Sequence, residues 1–140
     1  DQGVKLNLPL VCANPDKVVI RKDGNLIVCA GILADYYQKN GGKVFYFGKP
    51  YKEVYKKCLD FLNKINPAIS NKDVLVIGDS LETDILGANK AAIKSLLIAN
   101  GIHSKQLYKN SDTSLSLKNL KPLSQEFSAF PDYLIKSFIF

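Results

Sequence analysis

Short apolar runs closed by turn residues alternate along this chain with stretches whose apolar positions recur every three or four residues. These are the periodicities of buried strands and of amphipathic helices. Leu8 to Ala13 (LPLVCA) is such a run, ended by Asn14-Pro15-Asp16, and predicts a buried strand passing into a loop. Val18 to Ile20 and Leu26 to Cys29 flank Lys22-Asp23-Gly24-Asn25, a pattern that predicts a β-hairpin. Ala30 to Lys39 predicts a helix stopped by Gly41-Gly42, and Lys43 to Phe47 (KVFYF), rich in aromatic and β-branched residues, predicts a strand.

The clearest periodicity follows. Tyr51, Val54, Tyr55, Cys58, Leu59, Leu62 and Ile65 make one apolar helical face, with Pro50 suited to the first turn, where no backbone donor is needed. Asp73 to Ile77 (DVLVI) predicts a fully buried strand, Glu82 to Ala92 a short helix, and Ser95 to Ala99 (SLLIA) another buried strand. Beyond Gly101 the pattern weakens: Ser104 to Lys109 predicts a short helix, Leu115 to Phe127 a longer one despite Pro122, and Tyr133 to Phe140 a final strand. Alternating β and α units on short turns predict an α/β fold, a parallel sheet covered by helices.

A length of 140 residues suits one domain, and 46% hydrophobic with 23% charged residues excludes wholesale disorder. No apolar run approaches the roughly 18–20 residues needed to cross a bilayer, and no leader-like segment opens the chain, so neither a membrane span nor a secretory precursor is expected. The chain contains no methionine and begins at Asp1, which predicts a piece of a longer protein.

The net charge of +6 raises the question of nucleic acid. All the basic residues but Arg21 are lysines, however, and they are spread along the chain. The forked guanidinium that reads phosphate and guanine is almost absent, so a solvated lysine surface, with Lys52, Lys56 and Lys57 on one helix face, is the better reading. Cys12, Cys29 and Cys58 lack any C-x-x-C spacing and sit among apolar residues. They predict buried thiols in a reducing cytoplasm rather than disulfides or zinc. His103, the single histidine, excludes multi-histidine metal sites.

Ligands of open α/β sheets bind beyond the carboxyl ends of the strands. Two segments bring charge there. Phe47-Gly48-Lys49-Pro50 sets a lysine between a strand and a helix N-terminus, where anions are favoured. Gly78-Asp79-Ser80-Leu81-Glu82-Thr83-Asp84 sets one carboxylate directly after a buried strand and another in the following turn, a pair suited to a hard cation such as Mg²⁺. Each segment alone has an ordinary explanation. A Gly-Lys-Pro turn before a helix is common, Asp after a strand often caps the next helix, and Glu82 reads as a solvated first-turn carboxylate. Gly41-Gly42-Lys43 lacks the upstream glycine and following Ser/Thr of a phosphate-binding P-loop.

Together, CANPD at 12–16, CAG at 29–31, GKP at 48–50 and GDSLETDI at 78–85 resemble, in this order, the class IIA branch of the haloacid-dehalogenase-like (HAD) hydrolases. That branch includes the NagD-type, 4-nitrophenyl phosphate and pyridoxal-phosphate phosphatases. The resemblance runs from about residue 8 to the C-terminus. It implies the C-terminal half of a Rossmann-like HAD core at 48–140, preceded at 1–47 by the end of an α/β C2-type cap. It also implies a Mg²⁺-dependent phosphatase acting on a small phosphorylated metabolite through an aspartyl-phosphate. Lys49 matches the family's motif-three lysine, which neutralises the nucleophile and the phosphoryl oxygens. Asp79 matches the direct Mg²⁺ ligand of the acidic metal motif, and Asp84 acts there through water or by orienting Lys49. Asn14, Pro15 and Asp16 match the cap loop that faces the substrate, so Asn14, Asp16 and Lys49 are its expected contacts.

The family's D-x-D-G-T nucleophile motif and its phosphate-binding Thr/Ser motif are absent, and Asp23-Gly24 lacks the strand and first Asp that would make it one. The chain is therefore expected to need a missing N-terminal half and to be inactive alone. The runner-up reading is a truncated, non-catalytic remnant or binding module of the same fold. On the charge pattern and the lack of a long apolar run, neither nucleic acid nor membrane is an expected partner, and a homo-oligomer stays open.

Overall fold

A computed structural model of the chain describes residues 2–21, 25–108 and 117–139. It is mixed α/β, with parallel strands flanked by helices, as the alternating pattern predicts. Helix α1 (Gln2–Lys5), which the apolar pattern does not announce, precedes β1 (Leu10–Cys12). β2 (Val18–Ile20) and β3 (Leu26–Val28) form the expected antiparallel pair, with Val18 opposite Val28. Lys22, Asp23 and Gly24, the centre of the predicted hairpin turn, lie outside the described residues. Helix α2 (Ala30–Lys39) then leads to β4 (Val44–Tyr46), which lies parallel to β1 with Leu10 opposite Val44.

Helix α3 (Lys52–Ile65) follows, and a short 3₁₀ turn at Asn71–Asp73, closed by a Ser70–Asp73 capping box, leads into β5 (Leu75–Gly78). A π-helical turn at Leu81–Ile85 runs into α4 (Leu86–Ala91), and β6 (Lys94–Ile98) comes next. Helices α5 (Ser104–Leu107) and α6 (Leu117–Phe127) and strand β7 (Tyr133–Ile135) complete the chain. β5, β6 and β7 form one parallel sheet with β6 central. Its packing is the main core: Leu81, Ile85, Leu97, Ala99, Leu107, Leu123 and Ala129 are buried together.

Several expectations change. Pro50 lies outside α3, before the N-cap residue Tyr51, and is joined to Lys49 by a cis peptide. The apolar face of α3 buries only Tyr55 completely, and Phe61 and Ile65 stay exposed. β5 is not fully buried: Leu75 and Ile77, on one face, are each 42% exposed. β5 is also an edge strand among the described residues, pairing only with β6. Cys12 is buried, but Cys29 is half-buried and Cys58 exposed. The last strand is shorter than predicted, ending at Ile135, although Lys136 O still accepts from Asn100 N–H at 2.9 Å. Lys109, Leu115 and Phe140, the remaining ends of predicted elements, lie outside the described residues.

Two glycines fix the loop after β1. Gly31, in the first turn of α2, packs directly on the backbone of Pro15, and its N–H donates to Asp16 O at 3.0 Å. Gly48 has φ +98°, a left-handed conformation open to glycine, and the Cβ of any larger residue would stand 3.0 Å from Pro15 Cδ. The Asn14-Pro15-Asp16 loop is thus clamped between the start of α2 and the end of β4.

Replacing Leu97, fully buried at the centre of the sheet, by Ala should cost about 2–5 kcal/mol of unfolding free energy. A urea melt should show this as a lower midpoint with an unchanged slope. Gly31→Ala should cost about 1–3 kcal/mol in the same assay, because its methyl would meet backbone that cannot swing away.

Candidate functional site

The carboxyl ends of β5 and β6 open onto a cleft of about 470 Å³. The residues before and within β2 (16–19) line it from one side, and Lys49, the turn after β5 and the loop after β6 line it from the others. The location is the one expected for a ligand site in a parallel sheet.

Asp84 organises it. The carboxylate is buried, only 4% of the residue being exposed, and both oxygens are engaged. Lys49 Nζ donates to Oδ1 at 2.6 Å, and the Ser80 backbone N–H donates to Oδ2 at 3.2 Å. Gly78 makes the room, for a Cβ there would overlap the Asp84 carboxyl group. The turn that delivers Asp84 starts at Ser80, whose Oγ accepts from Thr83 N–H at 3.3 Å. Ser80, rather than Asp79, is therefore the helix-capping residue. Burial works against the Lys49 ammonium, but the Asp84 hydrogen bond and charge, with Asp16 and Asp79 nearby, outweigh it and raise the pKa above the ordinary lysine value.

Asp79 is held from the other strand end. Ile102 N–H donates to its Oδ2 at 3.1 Å, and Gly101 leaves the space that its side chain fills. Its Oδ1 accepts no hydrogen bond among the described residues. Behind the turn, His103 Nε2 accepts from Leu81 N–H at 3.0 Å, so the ring's proton sits on Nδ1, a buried atom with no partner among the described residues. Burial lowers the pKa of His103, and the nearby charges of Asp79, Glu126 and Glu82 do not offset this.

Of the residues singled out in the sequence, Asp16, Lys49, Asp79 and Asp84 line this one cleft. Asn14 does not. It is exposed, and its Oδ1 accepts from Asp16 N–H at 3.1 Å, which shapes the loop. Glu82 is not simply solvated, because its Oε1 accepts from Lys17 Nζ at 2.7 Å. Lys17 escapes a reading of the sequence, and the contacts of Glu82 and His103 here do too. Lys17 follows the Asn-Pro-Asp turn directly, which is the one local hint of its place.

Among the described residues, no group of three or more His, Cys, Asp or Glu side chains comes together as a complete metal cluster. The donor set fits part of a Mg²⁺ shell: Asp79 Oδ1 is an available hard oxygen, and Mg²⁺ commonly takes one or two carboxylates with water and phosphate oxygens. Asp84, with both oxygens engaged, is better placed to hold Lys49 than to meet a cation.

Comparisons with known proteins bear on the family and the fold. The family model described as HAD-hydrolase-like matches residues 46–122, more than half of the chain. The chain is similar to the ribonucleotide monophosphatase NagD of Escherichia coli K12, 29% identical over 94 residues, covering 67% of this chain and 34% of that protein. It is similar to a haloacid-dehalogenase-like hydrolase structure from Brucella suis, with TM-score 0.74, 30% identity, and coverage of 99% of this chain and 47% of that one. The fold is also shared with a p-nitrophenyl phosphatase from Archaeoglobus fulgidus, with TM-score 0.67, 22% identity, and coverage of 97% and 46%. The chain thus spans about a third of the curated relative and under half of either solved structure.

His103 makes stability depend on pH. Its folded pKa lies below the ordinary 6.5, so the unfolded chain binds the proton more readily. Its contribution is present above that value and is lost as the pH falls below it, until the depressed folded pKa is reached. Urea midpoints between pH 7.5 and 5.5 should fall accordingly for the wild-type chain, and should change less for His103→Gln.

Proposed function

The chain belongs to the HAD-hydrolase-like family, and on that footing we propose that it is the C-terminal part of a class IIA phosphomonoester hydrolase dependent on Mg²⁺. In this reading residues 1–47 end the cap, residues 48–140 form the second half of the core, and the substrate is a small phosphorylated metabolite. The observation that carries the reading is the convergence, at one cleft, of the Lys49 ammonium, gripped by a buried Asp84, and the Asp79 carboxylate with an oxygen to spare. The curated relative of E. coli is by its name a phosphatase, which supports the reaction class. Three free thiols among the described residues suit the cytoplasm.

The roles follow from the chemistry of a phosphoryl group. Lys49, held protonated by Asp84, would face the non-bridging oxygens and offset charge as it builds in the transition state. Asp79 would hold Mg²⁺, which when bound supplies further charge neutralisation at those oxygens. Asp84 would act as a positioning residue, fixing the lysine. Asp16, across the cleft, would meet the part of the substrate that leaves. The attacking Asp is assigned to a segment outside these 140 residues, which contain no D-x-D-G-T.

The test is hydrolysis of p-nitrophenyl phosphate. The chain alone should give no Mg²⁺-dependent turnover, and adding a polypeptide that carries the D-x-D-G-T half should produce it. In that pair Lys49→Ala and Asp79→Asn should each lower kcat/KM by about 10²–10³. Turnover by the chain alone would overturn the placement of the nucleophile. A silent but assembled pair would favour the second reading, a non-catalytic module, which the missing motif makes worth testing.

A further inference from the structure

We infer that Lys17 and Glu82 form an electrostatic clasp across the mouth of the cleft, tying the β2 side to the turn that carries Asp84. The inference rests on the geometry of the cleft and holds whether or not the phosphatase reading does. Glu82 is the one residue of the Leu81–Ile85 turn that is not buried. Its carboxylate meets Lys17 Nζ at 2.7 Å, and both residues line the cleft.

Lys17 is anchored behind. Its backbone carbonyl accepts from Cys29 N–H at 2.8 Å, while the preceding Asp16 carbonyl takes Gly31 N–H. A second carboxylate, Asp35 on α2, stands 3.7 Å from Lys17 Nζ and accepts from Tyr46 OH at 3.0 Å. The lysine therefore bridges a carboxylate on its own side of the cleft and one on the far side. Releasing Glu82 leaves it with Asp35, so opening the cleft does not strand a charge. The partners are close to half exposed, at 44% and 43% of their side chains, so the pair is screened by salt and weak enough to open for a ligand.

Amide hydrogen exchange of the full chain tests this without any activity. The reporters are the Cys29 and Gly31 amides on one side and the Asp84 and Ile85 amides on the other, with Leu97 in the central strand as control. Lys17→Met and Glu82→Gln should each speed exchange at the reporters by about two- to five-fold, and the double variant no further. Raising NaCl from about 0.05 to 0.5 M should do the same to the wild type and leave the double variant unmoved, since most of the screening occurs over that range. Leu97 should not change in any arm. Single-variant effects that simply add, reporters that do not respond, or a salt response retained in the double variant would each overturn the clasp.

Discussion

A carboxylate taken out of water must be repaid with charge and hydrogen bonds, and the burial of Asp84 imposes that condition on the whole site. It accounts for Lys49 at the end of β4, which brings the compensating ammonium from 35 residues away. It accounts for the backbone N–H of Ser80 turned inward and for the glycine at the end of β5, the only side chain small enough for the carboxyl group to pass. The turn is wound wide, with Asp84 and Ile85 both donating to Ser80 O at 3.0 and 3.1 Å, so that two strand-end carboxylates can occupy different environments. Both oxygens of Asp84 are engaged within the protein, whereas Asp79 accepts at Oδ2 alone among the described residues.

The loop after β1 shows a second, steric logic. Pro15 is wedged between two glycines from distant parts of the chain, Gly31, too close to carry a side chain, and Gly48, tight against it and held at a positive φ that favours glycine. The segment that faces the carboxylate turn is therefore located by backbone contact, while its attachment across the cleft is electrostatic. Rigid placement and reversible attachment fall on adjacent residues, Asp16 and Lys17.

Much of this was legible in the residue order because it is local. Strand-ending punctuation placed Lys49 and Asp79, and the two runs around Asp-Gly placed the hairpin. What was not legible depends on neighbours. The run Leu75 to Ile77 has the composition of a strand covered on both faces, but composition cannot report whether a cover exists, and here Leu75 and Ile77 face outward. Cys58 shares an apolar stripe with Tyr55, yet the tyrosine is buried against the glycine of α4 and the thiol is exposed. Glu82 looked like an ordinary first-turn acid because its lysine lies 65 positions earlier. The Asn14-Pro15-Asp16 turn was legible from its residue types, but not that Asn14 Oδ1 accepts from Asp16 N–H within it, since an asparagine before a turn has several backbone partners in reach.

The solitary imidazole has a practical corollary. Since the chain holds one histidine, and that ring takes its hydrogen bond from the first residue of the carboxylate turn, its ring protons form a built-in gauge in a one-dimensional NMR spectrum. No labelling is needed to resolve them from other imidazoles. Any occupant of the cleft that nudges Leu81 will be visible as the displacement of that ring's two carbon-bound proton lines.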